Sequence, residues 1–168
     1  MDDFNEEVRH LAAFALGMLT HKDASSTEAA VRSVLRIASL RNHHHWRIWA
    51  ELQLTELVDE DAARESIQHL LDDAFPDEHR RAPALDAALA DYLATRDTSL
   101  TGDGQLYLSD IGDVERDIAM YDASLSRRID VEVLRQRDLR HRVLNRVKNK
   151  AQQYLMERER REGQTDAS

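Results

Sequence analysis

Cysteine is absent from the 168-residue chain, which removes disulfides, thiolate nucleophiles and thiolate zinc sites together. A reducing cytoplasm is then the default compartment. Proline occurs only twice and glycine five times, so long stretches run without the residues that interrupt helices. A long apolar run is missing as well. The longest, Leu11 to Leu19, follows an acidic opening that includes Asp2, Asp3, Glu6 and Glu7, whereas a secretory signal needs a basic start and a spanning helix needs about 20 apolar residues. Neither export nor membrane insertion is expected.

Apolar residues make up 42% and charged residues 33%. That mixture is too apolar for disorder and rather polar for a large enzyme with a deep, dry interior. A chain of this length fits one domain, or a compact body with an appendage, and can bury roughly two thirds of its unfolded surface.

The spacing of apolar residues then predicts helices. Phe4, Val8, Leu11, Leu16 and Leu19 recur at intervals near three and four. Ser25-Ser26-Thr27-Glu28 has the form of a capping box ahead of Val31, Val34, Leu35 and Ile37. Arg41-Asn42 reads as a break, and Trp46, Ile48, Trp49, Leu52, Leu54 and Leu57 are dense enough for a central helix. Asp59 can cap a fourth helix through Ile67, Leu70, Leu71 and Phe75, stopped by Pro76. Pro83 suits the first position of a fifth, Leu85 to Leu93. Arg96 to Gln105, with Gly102 and Gly104, is a loop, followed by a short extended piece at Leu106, Tyr107 and Leu108. Asp110 or Asp113 starts a sixth helix through Ile118 and Leu125. From Val131 to about Arg161 no glycine or proline intervenes, which predicts one long helix. The fold expected is all-α, a bundle of five or six helices with a long basic C-terminal helix.

Charge divides the chain unevenly. Residues 1–126 carry 11 basic and 25 acidic side chains, while residues 127–161 carry 12 basic and 5 acidic. An acidic helical body (1–126), a basic helix (127–161) and a disordered tail (162–168) are the expected parts. Arg135, Arg137, Arg140, Arg142, Arg146, Lys148 and Lys150 are the candidate residues for binding a partner or nucleic acid. The asymmetry equally suits the helix folding onto its own acidic body or onto a second copy. Val143, Leu144, Val147, Ala151, Tyr154 and Leu155 form an apolar packing seam along the same helix, whose partner the spacing leaves open.

Constellations that could carry chemistry are incomplete. Ser99 to Asp110 has the layout of a twelve-residue calcium loop, with Gly104 sixth and Asp110 twelfth, but Ser99 and Thr101 supply weak oxygens and an Asp-Gly turn is the simpler reading. His43-His44-His45 has the wrong spacing for ligands that share a helix face. His69 with Asp72 and Asp73 has ligand spacing of a kind that any acidic helix shows by chance. No metal site and no cofactor are expected, and no GxxxxGK[ST], GxSxG or HExxH motif occurs. Arg135 and His141 form an Arg-x5-His pattern that resembles the motif of HEPN ribonucleases, helical proteins in which arginine and histidine from two subunits meet to cleave RNA. Gln136 stands where that family prefers Asn, Asp or His.

Two stretches together resemble AbiTii, a small helical domain of bacterial abortive-infection and other phage-defence proteins. One is Thr27 to Leu57, with Val34-Leu35-Arg36-Ile37-Ala38, a short break, a tryptophan and the pair Glu51-Leu52; the other is Val143 to Glu157. They cover under a third of the chain, and the family's Gly-Tyr after Glu-Leu is replaced by Gln53 and Leu54. The resemblance implies a defence-associated interaction domain without catalytic residues. The function expected is therefore a cytoplasmic, non-catalytic adaptor or regulatory subunit that binds a protein partner. An RNA-cleaving HEPN-like toxin and a nucleic-acid-binding accessory subunit stand as alternatives, and homo-oligomerisation is left open.

Overall fold

A computed structural model describes residues 2–20, 26–75 and 77–165. Among them the chain forms seven helices and no strand: α1 Asp2–Thr20, α2 Ser26–Leu40, α3 His44–Gln53, α4 Glu60–Ala74, α5 Glu78–Leu93, α6 Ile111–Arg127 and α7 Val131–Thr165. No described helix is long and apolar enough to cross a membrane. The all-α expectation is met, and the long C-terminal helix is present. At 35 residues it extends about 52 Å at 1.5 Å per residue. It runs to Thr165, beyond the expected end at Arg161, and residues 166–168 of the expected disordered tail lie outside the described residues.

Local chemistry explains most of the helix ends. Asp59 caps α4 by accepting from the Ala62 amide at 2.7 Å, and Asp110 caps α6 by accepting from Asp113 at 3.0 Å. The break after α2 is a Schellman turn: the His43 amide donates to the Ala38 carbonyl and the Asn42 amide to Ser39, with Asn42 at φ 55°. Asn tolerates that left-handed backbone because its short amide side chain is accommodated there.

Two expectations need correction. The fifth helix begins at Glu78 under an Asp77 cap, and Pro83 sits inside it. Asp77 accepts the His79 amide at 3.0 Å, so the helix nucleates a full turn ahead of the proline, whose missing amide costs one internal bond. Helix three stops at Gln53, and Leu54 is its C-cap; Leu57, although buried, belongs to the following loop. The capping-box serine, Ser25, lies outside the described residues. The α2 amides of Thr27 and Glu28 are capped from afar by the Glu115 carboxylate of α6, at 2.7 and 3.1 Å. Burial pushes that carboxyl above its ordinary range, against the two amides that favour its charged form.

The core has two parts that meet at α3. The larger joins Val8, Ala12 and Ala15 of α1, Val31, Val34 and Ile37 of α2, Val114 and Ile118 of α6, and the α7 seam. The smaller joins Ile67 and Leu71 of α4 to Leu89 and Tyr92 of α5 and to Leu108. Helix α3 gives Trp49 and Ala50 to the first, Ile48 and Leu52 to the second. It is the central helix, as its density of apolar residues predicts.

A buried polar network closes the join. Arg96 donates to Gln53 Oε1 at 2.5 Å and to the Ser109 carbonyl at 2.7 Å, and stacks over the Tyr92 ring at 4.9 Å. Gln53 Nε2 donates to Thr95 at 3.1 Å. The guanidinium meets neutral oxygens here, and burial pulls its pKa below the usual arginine value. Gly102 and Gly104 have φ 72° and 84°, the left-handed backbone that the exposed turn between Leu100 and Gln105 requires.

Leu144 is fully buried in the larger core, so Leu144→Ala should cost about 2–5 kcal/mol, read as a lower urea midpoint at unchanged m-value. Glu115→Ala strips the distal cap from α2 and leaves two amides without their acceptor. We expect a loss of about 1–3 kcal/mol, with Glu115→Gln recovering part of it in the same denaturation series.

Candidate interaction surface

The six seam residues, Val143, Leu144, Val147, Ala151, Tyr154 and Leu155, are all fully buried. Their partner is the chain's own body, since α7 packs along α1, α2 and α6. Tyr154 anchors the seam through its ring and its hydroxyl. The ring lies 4.7 Å from that of Trp46, and the hydroxyl meets His43 Nδ1 at 2.9 Å. Burial raises the phenol pKa to about 12. His43 is pulled below the ordinary imidazole value, first by burial and then by the charges of Arg158, Arg41, Arg161 and His44.

Much of the basic face is also spent internally. Lys150 Nζ lies 3.1 Å from Asp91 of α5, and Arg146 reaches the Arg96 carbonyl at 3.1 Å and Asp97 at 3.8 Å. Arg140 holds Asp117 at 2.7 Å between the rings of Tyr107 and Tyr121. Arg137 holds Asp122 at 3.2 Å, and Arg135 pairs with Glu132 within α7. His45 bonds the same Asp91 carboxylate. Burial acts to raise the Asp91 pKa, but hydrogen bonds from Lys150 and His45 outweigh it and hold it low. Of the seven candidate cations, Arg142 and Lys148 have no ion pair to a described carboxylate.

The remaining sequence motifs fall in different places. His141 is half-buried, and Arg135 is exposed on the helix six residues earlier, so within one chain the two are turned away from one another. His44 stacks edge-on against Phe75 at 5.3 Å, separated in role from its neighbours His43 and His45. In the 99–110 loop, the Asp103 carboxylate accepts the Gln105 amide at 3.0 Å, and Asp110 serves α6 as its cap. Among the described residues no group of three or more acidic or histidine side chains could hold a metal ion.

A surface that sequence reasoning missed lies where α6 turns into α7. From Ala119 to Asp138 no residue is buried. The two helices pack on each other and reach past the body as an antiparallel hairpin, its register set by Arg137 with Asp122 and Arg140 with Asp117. Large apolar side chains stand in water there: Ile129 is 84% exposed and Val131 80%, with Met120 and Leu134 also open. The available signal was the run Arg127-Arg128-Ile129-Asp130-Val131, in which two β-branched residues sit at a helix break outside either apolar stripe. No protein-family model, curated protein or solved structure matches the chain.

The neutral His43 ring gives a pH signature. Its folded pKa is depressed, so the unfolded chain takes up the proton first as pH falls. The stability tied to neutral His43 is complete above about pH 6.5 and is lost below it. Comparing urea midpoints of the wild type and His43→Gln at pH 7.5 and 5.5 should show the smaller acid loss in the variant; equal losses would exclude this role.

Proposed function

We propose that this chain is a non-catalytic helical adaptor or regulatory subunit that binds a protein partner through the α6–α7 hairpin. The observation carrying the reading is the hairpin itself, twenty consecutive residues without a buried side chain that nonetheless present Ile129 and Val131 to solvent. Exposed apolar side chains gathered in one projection mark a contact surface. Arg127 and Arg128 precede them in the chain and Arg135, paired with Glu132, follows on α7, so charged groups stand beside the apolar side chains as they do at the rim of a protein interface. Arg140, Arg146 and Lys150 have the separate task of tying α7 to the body, and Arg137 ties it to Asp122 within the hairpin. The association with phage defence rests on the two AbiTii-like stretches alone.

The double variant Ile129→Asp with Val131→Asp tests the reading in a tagged chain expressed in its own host. Both positions are exposed, so stability should move by no more than about 0.5 kcal/mol. Recovery of the bound partner should fall about ten-fold or more, while Val58→Asp, at an exposed site outside the hairpin, should leave recovery unchanged. Retention of the partner by the double variant would refute the assignment of this surface.

A further inference from the structure

The outer face of α7 has a composition that packing does not account for. Acidic residues outnumber basic ones 32 to 23 in the chain, yet from Leu139 to Met156 there is no carboxylate. With 3.6 residues to a turn, the buried seam takes one side of the helix in this window, and Arg142, Asn145, Lys148, Asn149, Gln152 and Gln153 fall on the opposite side. Arg142, Asn145, Asn149 and Gln153 are exposed, and Lys148 and Gln152 are half-buried. Among the described residues these six side chains make no hydrogen bond and no ion pair. Arg142 acts on Asp97 only through the field of its charge.

A solvated helix face ordinarily balances its cations with carboxylates three or four residues away. Lys148 has none within that reach, and Asp138, four residues before Arg142, is taken by Arg137. The face therefore presents two unmatched cations and four amides, with no apolar centre between Arg142 and Gln153. That is the wrong anatomy for a protein partner, whose interface needs an apolar core. It suits nucleic acid, where arginine and lysine meet phosphates and asparagine or glutamine pairs with the edge of adenine. The net charge of −9 opposes any polyanion, but charges more than about 8 Å away are largely screened at physiological ionic strength. The carboxylates along the flanks, Asp91, Asp97 and Asp117, are each held by a cation of α7.

The form of the nucleic acid follows by elimination. The face carries no aromatic ring, so it offers single-stranded bases no platform to stack on. A-form RNA has a major groove too deep and narrow for side chains to read. The major groove of B-form DNA is about 12 Å wide and admits a helix. Arg142 to Gln153 span about 16 Å of α7, close to five base pairs at about 3.4 Å each. We infer that the outer face of α7 is a docking surface for duplex DNA, seated in the major groove with Arg142 and Lys148 on phosphates and Asn145, Asn149 and Gln153 turned to base edges. The surface is separate from the α6–α7 hairpin, so the inference goes beyond the hairpin reading and does not depend on it.

Fluorescence anisotropy of a labelled DNA duplex of about 20 base pairs, two helical turns, tests the inference with the full chain. The wild type should bind at low salt, with the logarithm of the association constant falling against that of salt at a slope of about −2, as two neutralised phosphates require. Arg142→Gln with Lys148→Gln should weaken binding about ten-fold or more at low salt and flatten the slope. Asn145→Ala with Asn149→Ala should weaken binding at an unchanged slope, because amides release no counterions. Both double variants should keep the circular dichroism of the wild type, since these side chains pack against nothing in the core. Ile129→Asp with Val131→Asp should bind the duplex as the wild type does, which separates this surface from the hairpin. No anisotropy change with the wild type at low salt would overturn the inference. So would an Arg142 and Lys148 double variant that binds equally well. Tighter binding of a single strand, or of an RNA duplex of the same sequence, would also overturn it, because the helix would then be meeting something other than the major groove of DNA.

Discussion

The α7 seam has to leave water somewhere, and every other feature of this molecule follows from its doing so against the chain's own body. Six apolar positions spaced over thirteen residues line one side of a helix whose other side is densely charged. Docked, they complete the larger core and contribute burial worth on the order of 1.5–3 kcal/mol for each large side chain. Tyr154 fixes the position along the helix, because its ring needs the Trp46 face and its hydroxyl needs His43. Helices α1, α2 and α6 have no other element against which to close that side of the core.

Electrostatics then adjust what packing has chosen. Once the seam is down, the cations of α7 face the carboxylates of α5, α6 and the connecting loop, and Asp91, Asp97, Asp117 and Asp122 each acquire a partner. Partly exposed pairs of this sort contribute about 0–1 kcal/mol each, far less than the seam. Their value lies in register: a one-turn slide of α7 would lose all four contacts at once. The same pairing withdraws much of the basic charge from any external ligand. A count of arginines along the helix therefore overstates the cationic surface that a nucleic acid would meet.

Because α7 is anchored through its middle, its first two turns extend beyond the body together with the last two of α6. Leu139 is the first buried residue of α7 and Ile118 the last of α6. The hairpin between them is joined by the Arg137–Asp122 pair. It combines apolar side chains in water with balanced charge. The buried Arg96 network, by contrast, is architectural, since it joins α3, the end of α5 and the loop to Ser109.

The α-helical class, the caps at Asp59 and Asp110, the break at Arg41-Asn42 and the start of α7 at Val131 were legible in the sequence, because each depends on neighbours within a few residues. The start of α5 was misread because Pro83 is a strong local signal and Asp77 a weak one, and tertiary packing supports the longer helix. The sequence alone determined that the stripe of Val143, Leu144, Val147, Ala151, Tyr154 and Leu155 would be buried, since an apolar stripe at helical spacing excludes water wherever its partner comes from. Only the tertiary structure decided that the partner is the body, that the cations of α7 are matched to Asp91, Asp97, Asp117 and Asp122, that Glu115 caps a helix 87 residues away, and that Ile129 and Val131 are left uncovered. Those outcomes depend on which distant surfaces meet, and distance in space is not written into local spacing.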